Sequence, residues 1–132
     1  MKELRIIIAG GRDFNNFNLL FNSVEDIRKN ILSKKYKDID RECIVSGTAK
    51  GADSLGEEYA NKVGLLVYRF PANWDRHGKR AGFIRNAEMG RFAISDDSYG
   101  VLIAFWDGVS RGTKHMIDFA TAHGLEVHVI NY

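Results

Sequence analysis

The sequence is short of several things, and each shortage removes a class of protein. With one cysteine, Cys43, no internal disulfide can form. Its place in the apolar run ECIVSG suits a small core residue in a reducing compartment. No apolar stretch approaches the length of a membrane span, and the N-terminus MKELRIIIAGG lacks a signal-peptide layout. A cytoplasmic protein with no membrane partner is therefore expected. The four histidines show no metal-ligand spacing with cysteine or carboxylate, and no Ser-His-Asp order stands out. There is no internal repeat, low-complexity tract or compositional break, so 132 residues are expected to form one domain.

Net charge is also small, at +2, too little to argue for a nucleic-acid partner. It is unevenly placed, however. Between Arg69 and Arg91 six basic residues stand against two acids, a local excess of +4 in a chain whose total is +2. A nucleic-acid-binding module therefore stays in play as the third alternative.

What the chain does have is a regular alternation. Five short runs rich in Ile, Val and Leu recur: LRIIIAG (4–10), CIVSG (43–47), LLVYRF (65–70), VLIAFW (101–106) and VHVI (127–130). They are mostly continuous rather than alternating, as strands buried on both faces of a parallel sheet should be. Helical spacing links Phe17, Leu20, Phe21, Val24, Ile27 and Ile31. It recurs at Ala52, Leu55, Tyr59, Ala60 and Val63, with Gly64 as a C-terminal cap. Ile84, Ala87 and MGRFAI give a third helix, and Thr113, Met116, Ile117 and Ala120 a fourth that ends at Gly124. The charged stretch SKKYKDIDRE (33–42) reads as a solvated helix end and loop. Strand–helix alternation of this kind predicts an α/β protein with a parallel sheet; the family resemblance given below narrows this to a Rossmann-like three-layer sandwich. Its five-stranded, mainly parallel sheet is expected in the order 3-2-1-4-5, with helices on both faces.

Three of the strands end in small, flexible, polar residues: AGGRDF (9–14), SGTAKGADS (46–54) and WDGVSRGTKH (106–115). In open parallel sheets ligands bind outside the carboxyl ends of the strands. Glycine allows close backbone approach, and helix N-termini offer unpaired N–H donors to anions. GTAKGADS lacks the spacing and the Lys-Ser/Thr ending of a Walker A loop, and GGRDFN lacks the third glycine of a dinucleotide fingerprint. Each loop taken singly fits a tight turn equally well; three on one edge point to a phosphate-type cradle.

The candidate ligand-binding residues are Gly10, Gly11, Arg12 and Asp13 in the first loop, and Ser46, Gly47, Thr48, Gly51 and Asp53 in the second. Arg85 and Asn86 follow, with Asp107, Gly108, Ser110, Gly112 and Thr113 in the last loop. Asp53 and Thr113 suit helix caps as well as ligand contacts. Lys79 joins Arg12 and Arg85 as a candidate anion partner. Trp74 and Trp106 read as core or rim positions ahead of base-stacking platforms.

Taken together, IIIAGGRDF, SGTAKGADSLGEEYA, RAGFIRNAEM and IAFWDGVSRGTKHMIDFA resemble the YspA-like family of the SLOG superfamily. The resemblance runs from the first strand to the fourth helix. It implies a Rossmann-like sheet and a nucleotide-derived ligand, in a superfamily that also holds LOG-type phosphoribohydrolases and DNA-binding DprA proteins. LOG enzymes carry a Pro-Gly-Gly-x-Gly-Thr-x-x-Glu loop whose Glu assists glycosidic cleavage. Laying Gly112-Thr113 on its Gly-Thr places Met116 where that Glu stands, and a thioether transfers no proton. No catalytic residue is assigned on this basis; Arg85 and Glu88 are the candidates if the protein is an enzyme. The family's proline before its Arg-Asn pair is Phe83 here. The expected function is binding of a phosphorylated nucleotide derivative, ADP-ribose-like or a cyclic or mononucleotide, for sensing or sequestration. No cofactor is required, and a homo-oligomer is compatible with the sequence. A nucleotide-processing hydrolase is the alternative.

Overall fold

A computed structural model describes residues 2–34 and 38–132. Strand β1 (Lys2–Gly10) leads into α1 (Phe17–Lys34), β2 (Ile39–Ser46), α2 (Ala52–Val63) and β3 (Leu66–Arg69). A short helix α3 (Trp74–His77) and a 3-10 turn (Gly78–Arg80) precede α4 (Ala81–Ile94); β4 (Tyr99–Trp106), α5 (Arg111–Ala122) and β5 (Glu126–Asn131) complete the chain. The five strands are all parallel, in the order β3-β2-β1-β4-β5.

The strands read as continuous apolar runs because both faces of the sheet are covered. Along β1 the side chains alternate: Leu4, Ile6 and Ile8 pack with Leu20, Val24 and Ile31 of α1 and Tyr59 and Ala60 of α2. Ile7 and Ala9 face the other way, into a core with Met89 and Ala93 of α4 and Met116 and Ala120 of α5. Toward its carboxyl end, from Ile6 to Ala9, β1 thus presents an apolar residue at every step, alternately to each helical layer. Cys43 is buried in the second core, where burial pushes its thiol up to about 12.

Gly64 ends α2 in the left-handed region, φ 80°, and its N–H bonds the Ala60 carbonyl. The charged stretch 33–42 differs from its expected solvated loop. Its last residues, from Ile39 onward, already form β2, while 35–37 lie outside the described residues. Asp40 and Arg41 point to water where β2 extends past the core, so the polar sequence hides a strand. Among the described residues no helix is long and apolar enough to cross a membrane.

The chain winds from β1 outward through β2 to β3, then returns to β4 on the other side of β1. The reversal lies between β1 and β4, and a crevice is expected outside their carboxyl ends.

Candidate functional site

The carboxyl ends of β2, β1 and β4, three neighbours in the sheet, deliver the three glycine loops to one edge. The first loop is braced by its own backbone. Gly11 N–H donates to the Phe105 carbonyl, while the Gly11 carbonyl accepts from Phe14 N–H and Ala52 N–H, each at 3.2 Å. The start of α2 is thereby docked on the first loop. The glycines there serve this docking. A Cβ on Gly10 would press on the Phe105 carbonyl and stand 2.8 Å from the Ala52 Cβ. Gly51 sits at φ +78°, and a Cβ on it would strike the Gly11 carbonyl and the Arg12 backbone.

Between these loops and α4 lies a cleft of about 270 Å³. Of the candidate residues, Gly10, Arg12, Asp53, Arg85, Asn86, Ser110, Gly112 and Thr113 line it. Its floor is apolar, made by Ala9, Met89 and Met116. Trp74, Lys79, Gly82 and Phe83 complete the α4 side, and Ala49 the second-loop side.

The other candidates stand behind or beside the cleft. Gly11 is buried beneath it against the Tyr132 side chain. Asp13 accepts from the Tyr132 hydroxyl at 2.6 Å and so ties down the last residue. Ser46 is buried, donates to Glu57 at 2.6 Å and accepts from Thr48 N–H. Gly47 offers its carbonyl to the Arg85 guanidinium. Thr48 adopts φ +63°, a conformation rare for a β-branched residue. Asp107 is exposed and accepts from Val109 and Ser110 N–H, both at 2.8 Å; these bonds hold its carboxyl below the usual range. Gly108 shapes the same turn at φ +85°. Glu88 is exposed on α4 and does not line the cleft.

Electrostatically the cleft is lopsided: Arg12, Lys79 and Arg85 face one acid, Asp53. Asp53 is only 6% exposed. Rather than capping α2, its carboxylate accepts from Ala49 N–H at 3.1 Å. Burial pushes its pKa up to about 6, against the pull of that bond and of Arg85 and Arg12. Arg85 donates to Gly47 and, at 3.1 Å, to the Asn86 side chain. Burial lowers its pKa, and Asp53 only partly offsets this.

Asn86, 5% exposed, donates to the Gly112 carbonyl at 3.1 Å and so fixes α4 to the first turn of α5. Ser110 caps α5, its hydroxyl lying 3.2 Å from that of the buried Thr113. Two hydroxyls thus stand at a helix N-terminus in a cleft that three cations also line, groups whose chemistry suits an anion. Among the described residues no cluster of His, Cys, Asp and Glu could hold a metal ion.

Sequence reasoning gave no cleft role to Trp74, Gly82, Met89, Ala9 or Ala49. For Trp74 a signal existed. It stands in the polar stretch PANWDRHGK, which has no apolar period and so no core face to put an indole into.

The sequence model of the family described as YspA, cpYpsA-related SLOG matches residues 4–77, from β1 through α3. The Gene 61 protein of Mycobacterium phage D29 is 29% identical over 128 residues, covering 93% of each chain. No solved structure matches this chain.

Proposed function

The chain belongs to the YspA, cpYpsA-related SLOG family, and on that premise we propose that it binds a phosphorylated, nucleotide-derived small molecule, as a sensor or sequestering protein. Family membership suggests a ligand or substrate related to nucleotides. One observation favours an anionic ligand held in this cleft. At the reversal point of the sheet, three cations line a hollow in which Asp53 is the one acid among the described residues, its pKa raised by burial to about 6. Phosphate would meet Arg12 and the Ser110–Thr113 turn, with Arg85 alongside. The volume lies near the lower end for ligand pockets, which run from about 300 Å³ upward, so a mononucleotide fits this reading better than a fully enclosed ADP-ribose.

The proposal is tested by thermal unfolding against AMP, cyclic AMP and ADP-ribose. A ligand at roughly 100 times its Kd adds about 2.7 kcal/mol, a melting shift of several degrees. A flat response to all three, with no nucleotide released from denatured protein in mass spectrometry, would sink the proposal.

Hydrolysis is the second reading, and Asp53 is what favours it. A buried carboxyl with a pKa of about 6, beside Arg85 in a cleft, is placed as a general acid or base would be. Against it, Met116 forms part of the floor at the position of the LOG glutamate, and it is 1% exposed. Binding without turnover predicts no release of free base from nucleoside monophosphates. Release that disappears in Asp53→Asn would promote the hydrolase.

A further inference from the structure

At about 270 Å³ the cleft is small for a nucleotide-sized ligand, and its rim is aromatic. Trp74 is 52% exposed, a large apolar ring left in water. It borders two hollows at once, the cleft and a shallow depression formed by residues 71–75. Its position is fixed locally. Asn73 caps α3 by accepting from Arg76 N–H at 3.1 Å, and Gly78 N–H bonds the Trp74 carbonyl.

The indole meets α4 at Gly82. A Cβ there would sit 3.7 Å from Cη2 of Trp74 and the same distance from Nη2 of Arg85. That is ordinary van der Waals spacing, so the indole lies against this turn of the helix beside the guanidinium. The other exposed ring at the rim, Phe83, is already stacked on His115, with ring centroids 4.4 Å apart and planes at 18°.

Resting on the anion-cleft reading above, we propose that Trp74 is the platform on which the base of the bound nucleotide stacks, its phosphate reaching inward toward Arg12 and Ser110. Every nucleobase has a π face, and stacking on an aromatic side chain needs no hydrogen-bond match. The site would therefore select nucleotides over other phosphorylated metabolites without strongly selecting among bases.

The test compares 5′-AMP with ribose 5-phosphate, which carries the same sugar and phosphate without the base. By calorimetry the parent protein should bind AMP about 5- to 150-fold tighter. Trp74→Ala should bring that ratio close to one, and Trp74→Phe, which keeps a ring, should restore most of it. Equal affinity for the two probes in the parent overturns the stacking proposal and leaves the anion cleft standing. An AMP preference that survives in Trp74→Ala overturns it as well. If neither probe binds, the anion-cleft reading falls and the platform falls with it.

Discussion

Two arginines lie near opposite ends of the sheet, and they are treated differently. Arg5, toward the amino end of β1, is 7% exposed and surrounded by acceptors. It pairs with Glu3 at 2.6 Å and Asp96 at 3.3 Å, and it donates to the Phe92 carbonyl and the Ser95 hydroxyl. Its guanidinium also lies 4.0 Å over the Phe92 ring. Burial works to lower its pKa, yet Glu3 and Asp96 overcome this and raise it. Arg85, at the carboxyl edge, has one backbone carbonyl, one amide oxygen and a nearby acid that burial discourages from ionising; its pKa goes down. A completed charge holds a fold together. An incompletely matched one in a cleft is better explained by a partner outside the chain.

The comparison breaks most sharply at Arg5. One oxygen of Glu3, Oε2, is already buried without a hydrogen-bond partner. Arg5→Ala would strand the whole carboxylate and should cost about 3–5 kcal/mol in urea unfolding. A loss below about 1 kcal/mol would show that this network is not the structural half of the pair.

Next in size is Gly51→Ala. The added methyl meets the Gly11 and Arg12 backbone at a positive φ, so the loss should be on the order of 1–3 kcal/mol. Any weaker nucleotide binding should follow from the disturbed first loop. The exposed Lys50, changed to Ala, should leave stability within about 0.5 kcal/mol. If Gly51→Ala unfolds like the parent yet no longer binds, the glycine serves the ligand directly instead.

Asp53 sharpens the comparison through pH. Its pKa is about 6 in the fold against an ordinary 3.8, so the folded state holds the proton more tightly. That contribution to stability is fully present below about 3.8 and is lost as pH rises through about 6. Between about pH 7 and pH 5 the parent should gain on the order of 1 kcal/mol relative to Asp53→Asn. Identical pH profiles for the two proteins would mean the carboxyl is not held toward its neutral form.

Much of this architecture was legible in the residues. The strand runs betray themselves because Leu4, Ile6 and Ile8 enter one core while Ile7 and Ala9 enter the other. The edge carrying the loops was legible because three of the strand runs end in glycine-rich polar residues, whereas the strand order went with the family resemblance and not with the apolar pattern. Two pieces were not legible. The short helix and turn at 74–80 bury no residue of their own and so print no apolar period. The start of β2 is disguised by solvent-facing charges. In the site, the glycine loops were plain but the reason for glycine was not. Gly10 and Gly51 are required by close backbone packing between loops, which only the folded chain reveals. Asn86, a candidate from the sequence, lines the cleft, and its bond to the Gly112 carbonyl is a further role that only the folded chain reveals.

The most direct measurement is a calorimetric titration of AMP into the parent and Arg85→Met at pH 7, alongside urea unfolding of both. If Arg85 is held ready for an outside anion, the variant should stay within about 1 kcal/mol of the parent in stability. Its affinity should fall roughly 10- to 150-fold, the worth of a hydrogen bond to a charged group. Unchanged affinity, or a stability loss as large as that expected for Arg5→Ala, would contradict the assignment of Arg85 to the ligand and of Arg5 to the fold.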